Sequence, residues 1–183
     1  MTNDPRDEIV EHLGSMRAFA MSLTRNSALA DDMVQDALEK AWTNIEKFQP
    51  GTNMRAWLFT ILRNTYYSHH RKRRREVEDK DGDMSAGLAQ KPDHDGRLQM
   101  RDFSQAFGTL PEEQREALVL VGAGGFSYEE AAETCGVAIG TIKSRVNRGR
   151  ARLAELMDVS EESPMEVTEV VTQGIVTVNQ SIA

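Results

Sequence analysis

Apolar side chains recur at steps of three and four residues through most of the chain, which is the spacing of one face of an α-helix. Residues 7–24 and 28–47 follow this pattern, and so do residues 54–73 after the sequence FQPGTN at 48–53. The proline and glycine of FQPGTN predict a loop between the second and third segments. The first part of the chain is therefore predicted to form three helices, the last of which ends in the basic run RKRRR at 71–75.

The later part of the chain predicts shorter helices. A helix over about 98–108 precedes Pro111, and proline suits the first turn of the next helix, EEQREALVLV, which ends at the glycines of VGAGG. Ser127 followed by Glu130 predicts a capping box, in which each side chain bonds to the other residue's backbone amide. The helix that begins there is predicted to end at Gly136, and Thr141 is predicted to cap the helix after it.

A polar stretch separates these two groups of helices. Residues 76–96 contain hardly any large apolar side chains. We therefore predict an all-α fold with two small helical domains, at 1–75 and 98–157, joined by a flexible acidic linker at 76–97. The tail at 158–183 is acidic and then rich in β-branched residues; a strand is compatible with this composition, but we predict disorder or partner binding.

Charge is distributed in blocks, although the chain as a whole carries a formal net charge of -7. Residues 50–75 contain seven basic and no acidic side chains, and residues 140–153 contain five basic and no acidic ones. Acidic side chains predominate in the segments 1–49, 76–95 and 155–183. Because salt screens charges beyond about 8 Å at physiological ionic strength, the two basic segments can attract nucleic acid despite the acidic total.

The second basic segment belongs to a predicted helix-turn-helix. A short capped helix and the basic helix are joined by a tight turn of four residues, and small or apolar side chains can pack the two together. These packing positions are Ala131, Ala132, Cys135, Val137, Ile142 and Val146. The basic and amide side chains of the second helix are then available to a DNA major groove, where Arg and Lys donate to guanine and Asn pairs with adenine.

Other chemistries find no support in the sequence. The four histidines show no metal-ligand spacing, Cys135 is assigned to the helix-turn-helix interior, and no phosphate-binding glycine loop or nucleophile motif occurs. No apolar run approaches the roughly 20 residues needed to cross a bilayer, and the acidic N-terminal segment lacks the pattern of a secretion signal. We therefore expect a cytoplasmic protein without enzymatic activity, cofactor or bound metal.

Four motifs, in this order, resemble those of an ECF (group IV) sigma factor, the promoter-recognising subunit of bacterial RNA polymerase. They are DDMVQDALEKAW, FQPGTNMRAWLFTILRN, LPEEQREALVL and FSYEEAAETCGVAIGTIKSRVNRGRARL, and the resemblance covers about residues 8–157. The runs RNTYYSHHRKRRREVED and VGAGGFSYEEAAETCG further resemble the general-stress-response (EcfG-type) branch of alphaproteobacteria. The resemblance implies a sigma region 2 domain at 1–75 and a sigma region 4 domain at 98–157.

The resemblance also implies a role for individual residues. The first motif corresponds to the segment that docks on polymerase, the second and the basic run after it to the segment that meets the -10 promoter element, and the last to the reader of the -35 element. Polymerase binding is thus assigned to Asp32, Gln35, Asp36 and Glu39, -10 binding to Phe48, Gly51, Thr52, Asn53, Asn64, Arg71 and Arg74, and -35 binding to Lys143, Ser144, Arg145, Asn147 and Arg148.

Three further positions carry expectations. Trp57 is expected in the core rather than as a wedge that melts DNA. Val121 stands where some members of the family have arginine. Gly149 stands where alanine is usual, at a cost of up to ~1 kcal/mol in helix propensity.

The predicted function is that of a sigma factor that binds core RNA polymerase and directs initiation at the promoters of stress-response genes. The resemblance implies that an anti-sigma factor, a small NepR-like protein, holds it inactive. One alternative is a sigma-like decoy that captures an anti-sigma factor, although such a decoy normally belongs to a longer chain with a phosphate-receiving domain. The other is a simple helix-turn-helix regulator, against which the basic run before the linker argues.

Overall fold

The computed structural model describes residues 5–78 and 96–157, and all regular secondary structure within them is helical. The chain divides into two compact units, Met1–Leu88 and Ala89–Ala183. The predicted all-α fold with two helical domains is confirmed. The predicted linker is helical at both ends, since residues 76–78 continue a helix of the first unit and residues 96–97 begin one of the second. Residues 79–95 of the linker and the tail from residue 158 lie outside the described residues.

The described part of the first unit contains four α-helices. They are α1 (Pro5–Glu11), α2 (Leu13–Thr24), α3 (Ser27–Thr43) and α4 (Met54–Glu78), with a 3-10 turn at Ile45–Lys47 after α3.

Two of the helices predicted for this unit differ from the structure: one is broken into two helices, and the other ends early. The single helix predicted over 7–24 is broken at His12, whose backbone amide donates to the Ile9 carbonyl, three residues back, at 3.1 Å. The helix predicted over 28–47 ends at Thr43, where the Asn44 side chain donates to the Lys40 carbonyl at 2.7 Å and the chain turns into the 3-10 segment. Local hydrogen bonding by polar side chains therefore overrides the apolar periodicity at this end of α3.

The core of the first unit lies between α2, α3 and α4. The rings of Phe19 on α2 and Phe59 on α4 lie 5.1 Å apart, and both are fully buried. Ala30 and Ala37 on α3 are also fully buried, and because they present only a methyl group they let α3 pack closely on α2 and α4. The apolar stripes seen in the sequence thus form one shared interior, which fixes α3 beside α4.

The described part of the second unit also contains four α-helices. They are α5 (Gly96–Thr109), α6 (Glu112–Leu118), α7 (Tyr128–Cys135) and α8 (Ile139–Leu156), with a π-helical turn at Val119–Ala123 after α6. Its core contains Leu118, Leu120, Ile142, Val146 and Leu153, none of which is more than 1% exposed.

The helix ends in this unit test two sequence predictions. The capping box is confirmed, because the Ser127 side chain accepts from the Glu130 amide at 3.1 Å and Glu130 accepts from the Ser127 amide at 2.8 Å. The prediction that Thr141 caps the basic helix is wrong. Helix α8 already begins at Ile139, and the Thr141 amide donates to the Ala138 carbonyl at 2.9 Å inside the first turn.

Candidate nucleic-acid interface

Helices α7 and α8 form a helix-turn-helix. Gly136 ends α7 with a φ of +66°, a left-handed conformation that glycine adopts without steric cost. Only residues 136–138 separate the two helices, one fewer than the sequence suggested. Ala131 and Cys135 on α7 are buried together with Ile142 and Val146 on α8, so the turn holds the two helices in fixed contact.

The residues assigned to the -35 element lie on α8 with different degrees of exposure. Lys143, Asn147 and Arg148 are exposed, whereas Ser144 and Arg145 are half-buried. The ammonium group of Lys143 also lies 5.9 Å from the centre of the Tyr128 ring on α7. Helix α8 therefore presents basic and amide groups opposite its buried stripe, as a helix that enters a major groove requires.

The absence of a side chain at Gly149 allows α8 to approach α6 closely. It is buried, and a β-carbon at this position would lie 2.7 Å from Cδ1 of Leu118 and 3.5 Å from Cβ of Gln114, both on α6. The sequence showed Gly149 only as a loss of helix propensity. In the structure it is a point of close approach between α8 and α6, so its missing side chain contributes to the position of α8.

The FQPGTN loop carries several of the residues assigned to the -10 element. Gly51 has a φ of +88°, and the Thr52 hydroxyl donates to the Gln49 carbonyl at 2.7 Å. The Asn53 side chain accepts from the Ala56 amide at 3.1 Å, so it also caps the start of α4. These bonds give the loop a defined shape without any ligand, and they leave Gly51, Thr52 and Asn53 exposed.

Phe48, at the start of this loop, is buried. It is only 7% exposed, and its ring lies 5.3 Å from that of Trp57. Trp57 itself is half-buried, so the expectation that it belongs to the core holds for only part of its surface. The Phe48 ring packs against Trp57, so little of its surface is exposed.

A cavity of about 360 Å³ opens beside this aromatic pair, between the end of α3 and the middle of α4. The side chain of Asn64, assigned to the -10 element, is exposed at its wall. The Lys40 ammonium donates to the Thr65 hydroxyl at 3.0 Å, and that of Lys47 to the Asn44 side chain at 2.6 Å. The lining residues are Lys40, Asn44, Lys47, Trp57, Ile61, Asn64, Thr65 and Ser68.

Sequence reasoning missed most of this cavity. Lys40, Asn44 and Lys47 follow one another at steps of four and three residues, so they share a side of the chain that leads out of α3. That spacing indicates that these three side chains can form one wall of a cavity. The sequence did not indicate that α4 forms the other wall, because this depends on how α3 and α4 pack.

Farther along α4, basic and aromatic side chains alternate. The guanidinium group of Arg63 lies 4.6 Å from the centre of the Tyr67 ring, and the rings of Tyr66 and His70 stack at 5.9 Å. Arg71 and Arg74, assigned to the -10 element, are exposed beyond them. The structure therefore places Asn64 and both arginines along the same helix, at increasing distance from the FQPGTN loop.

The four residues assigned to polymerase binding, three of them acidic, share one face of α3. Asp32, Gln35, Asp36 and Glu39 are all exposed. The opposite side of this helix is buried against the core of the first unit.

Beside this acidic face, the Arg17 guanidinium donates to the Asp31 carboxylate at 2.6 Å. This hydrogen bond lowers the pKa of the Asp31 carboxyl below its usual value.

Within 5–78 and 96–157, no group of three or more His, Cys, Asp or Glu side chains is arranged to hold a metal ion. No helix in the described part of the chain is long and apolar enough to span a membrane.

The described residues form two helical units, and the second carries a helix-turn-helix with an exposed basic face, a layout typical of DNA-binding proteins. The sequence profile of sigma-70 region 2 matches residues 9–76, and that of sigma-70 region 4 matches residues 100–153. The chain therefore belongs to the sigma-70 family, and its relatives place it among the ECF RNA polymerase sigma factors, in the EcfG-type branch.

Individual relatives support this assignment. The chain is 54% identical to the ECF RNA polymerase sigma factor EcfG of Rhodopseudomonas palustris (strain TIE-1) over 159 residues, which cover 87% of this chain and 88% of the relative. It is 34% identical to the ECF sigma factor SigE of Mycolicibacterium smegmatis, covering 82% of this chain and 61% of that one. Among solved structures, the sigma factor RpoE of Bartonella quintana, crystallised with the anti-sigma factor NepR, is 52% identical with a TM-score of 0.77 and matches 85% of this chain and 97% of RpoE.

Proposed function

We propose that the chain joins core RNA polymerase to promoters through three surfaces: the acidic face of α3, the cavity and loop beside α4, and the reading helix α8. The observation that carries this proposal is that each group of residues assigned by the resemblance is largely solvent-exposed, within an otherwise packed unit that matches the corresponding sigma region. The proposed domain limits are 1–75 for region 2 and 98–157 for region 4.

For the -35 element, α8 supplies the chemistry of direct base readout. Lysine and arginine donate hydrogen bonds to guanine edges, and an asparagine side chain both donates to and accepts from adenine. Lys143, Arg145 and Asn147 are the candidates for base contacts, while Arg148 and Ser144 suit phosphates. The close contact at Gly149 keeps this helix at one distance from α6.

For the -10 element, the loop and the cavity supply a shaped site. Extruding a base from the stack costs a few kcal/mol, so a site that already has its shape before DNA arrives lowers the remaining cost of recognition. The internal bonds of the FQPGTN loop and the cavity of about 360 Å³ beside Asn64 are such features. Phe48 packs against Trp57, which lines this cavity, and the exposed Arg71 and Arg74 extend the site toward phosphates.

For polymerase, the acidic face of α3 offers a surface that attracts basic partners. Asp32, Asp36 and Glu39 lie at helical spacing and are exposed, so together they present negative charge on one side of the unit. Gln35 lies among them and adds an uncharged hydrogen-bonding group.

The partner that would regulate this molecule follows from the same comparison. RpoE of Bartonella quintana was crystallised with the anti-sigma factor NepR, and it shares 52% of aligned residues with this chain. We therefore propose that a small NepR-like protein holds this sigma factor inactive, and that the genes under its control belong to a general stress response. Polymerase performs the chemistry, so no enzymatic activity is assigned to this chain, and its proposed place of action is the cytoplasm, where the chromosome is transcribed.

Run-off transcription with purified core RNA polymerase of the same organism tests the proposal. The template is a promoter selected from a duplex library randomised at both elements, and the purified chain should give transcripts that core polymerase alone does not. Arg145→Ala should reduce them, whereas Arg152→Ala should not. Arg152 is an exposed basic residue on the same helix that pairs with Glu155 at 2.6 Å and lies outside the assigned set, so it is the matched control.

The outcome also separates the two alternatives. A helix-turn-helix regulator would bind DNA without binding core polymerase. A decoy would bind a NepR-like protein but would support no transcription.

A further inference from the structure

The contact between Lys143 and Tyr128 crosses the helix-turn-helix, because Lys143 lies on α8 and Tyr128 on α7. The Lys143 ammonium is 5.9 Å from the ring centre, within the about 6 Å over which a ring face attracts a cation. All five residues assigned to the -35 element lie in the described part of the chain, and Lys143 is the one whose charge meets an aromatic ring.

The backbone holds the Tyr128 ring in place relative to α8. Tyr128 is the first residue of α7, directly after the Ser127 cap, and the two hydrogen bonds of the capping box fix that helix end at 2.8 and 3.1 Å. Helix α7 is in turn packed on α8 through the buried side chains of Ala131 and Ile142. The half-buried ring therefore projects from a fixed helix end beside a flexible side chain.

A fixed point matters for Lys143 because its side chain is long and flexible. It is exposed, and a lysine side chain carries its charge at the end of four freely rotating bonds. Ordering such a side chain on binding DNA costs rotamer entropy, and this cost falls if the free protein already restricts the side chain.

We propose that Tyr128 is a positioning residue for -35 recognition: its ring holds the Lys143 ammonium beside the reading helix before DNA arrives. This inference rests on the proposed function, since α8 must read the -35 element for the position of Lys143 to matter. The face of the ring, and not its hydroxyl group, attracts the Lys143 ammonium.

Two substitutions of Tyr128 separate the ring from the hydroxyl. Tyr128→Phe keeps an aromatic face, whereas Tyr128→Leu keeps only apolar bulk. The polymerase holoenzyme with the leucine variant should bind its selected promoter about two- to fivefold more weakly, the range of an exposed cation–π contact, and the phenylalanine variant should restore binding. The loss should be confined to the -35 base pair at which Lys143→Met also relaxes the preference.

The experiment compares these full-length variants, bound to core polymerase, on a selected promoter and on its single-base -35 variants. In a double-mutant cycle, Tyr128→Leu should cause no further loss once Lys143→Met is present. Equal losses for the phenylalanine and leucine variants would point to a hydroxyl–phosphate contact and overturn the proposal. Tighter binding by the leucine variant would also overturn it, because the ring would then draw Lys143 away from DNA.

A measurement without DNA tests the contact itself. In NMR spectra of the free chain, the ε-methylene protons of Lys143 should show an upfield ring-current shift that Tyr128→Phe preserves and Tyr128→Leu abolishes. Absence of this shift in the unsubstituted chain would overturn the inference. Amide exchange across α7 and α8 checks that the leucine variant is folded, and Tyr128→Met replaces it if protection is lost.

Failure of the inference is distinguishable from failure of the proposed function. If Lys143→Met leaves the -35 preference unchanged while Arg145→Ala relaxes it, Lys143 needs no positioning and the inference falls, but α8 remains the reader. If no substitution on α8 changes the preference, the proposed function of this helix falls, and the inference falls with it.

Discussion

The replacement Gly149→Ala sets two effects of opposite sign against each other on the reading helix. Alanine is the better helix former, and at an unconstrained interior position the change would stabilise the protein by about 1 kcal/mol. At Gly149, however, the new β-carbon would lie 2.7 Å from Cδ1 and 3.2 Å from Cγ of Leu118. The optimum for two carbon atoms is about 3.5–4.0 Å, so the groups would have to separate by roughly 1 Å.

Leu118 has little room to move away. Its side chain is 1% exposed, and it lies in the core of the second unit. Overpacking of a filled core costs about 1–3 kcal/mol, which exceeds or cancels the gain in helix propensity. We therefore expect Gly149→Ala to destabilise the second unit by about 0–2 kcal/mol in net terms.

Gly140→Ala is the matched control. Gly140 lies in the same helix, but a β-carbon there would meet nothing within 4 Å, so only the propensity gain remains and the variant should be neutral or more stable. Both tryptophans, Trp42 and Trp57, belong to the first unit, so their fluorescence does not report on this change.

Native-state amide exchange of the α6 and α8 backbone is the suitable measurement, because it resolves the stability of each unit separately. If both alanine variants gained stability to the same extent, Leu118 would be free to yield, and the account of Gly149 as a required close contact would be refuted. In that case the loss of propensity at this position would have no packing explanation.

Three further predictions concern other parts of the molecule. Ser127→Ala should lower the stability of the second unit by about 1 kcal/mol through loss of the capping box, as seen in faster exchange at the start of α7; an unchanged rate would mean that the cap is dispensable. Asp36→Ala should weaken binding to core polymerase in a competition assay while leaving far-ultraviolet circular dichroism unchanged, and full retention of binding would remove this face as the docking surface. Because Arg17 lowers the pKa of Asp31, their ion pair stabilises the folded state at neutral pH, and this contribution should be lost as the pH falls below about 4 through the lowered pKa. In a series of tryptophan-monitored melts, Asp31→Asn should therefore melt at the same temperature as the unsubstituted chain at acid pH and at a slightly lower temperature near neutral pH. Equal melting temperatures at both ends of the series would contradict this.

The sequence predicted those features that depend on local chemistry. The spacing of Ser127 and Glu130 was enough to locate a capping box, because both partners lie within one turn of helix. Gly136 likewise marked the end of α7, since few other residues adopt its left-handed conformation. Apolar periodicity identified the helices but misjudged their ends at His12 and Thr43, where short-range hydrogen bonds stop the helix while the apolar pattern continues.

Other features that the sequence did not predict depend on which helices pack together. The spacing of Lys40 and Lys47 placed them on one side of the chain, but only the packing of α3 on α4 makes them one wall of a cavity that Asn64 also lines. In the same way, Gly149 carried a visible cost in propensity but no visible benefit until α8 was placed on α6. Such contacts join residues far apart in the chain, and no periodicity within one helix encodes them.

The distribution of charge has a physical consequence for how such an acidic chain approaches DNA. Its acidic face on α3 and its basic helix α8 belong to different units, so neither surface neutralises the other within its own fold. At physiological salt each acts over only about 8 Å, which allows one unit to attract a basic partner and the other to attract phosphate.

The same separation predicts weak, salt-sensitive binding of the isolated chain to duplex promoter DNA, because its two basic segments lie in different units and each makes only a few phosphate contacts by itself. Binding to polymerase would add the second set of contacts, and the affinity for promoter should then exceed that of the chain alone, since linked sites raise each other's effective concentration. Fluorescence anisotropy on a labelled promoter duplex measures this affinity. Tight, sequence-specific binding by the isolated chain at physiological salt would show that the chain does not need polymerase in order to bind a promoter.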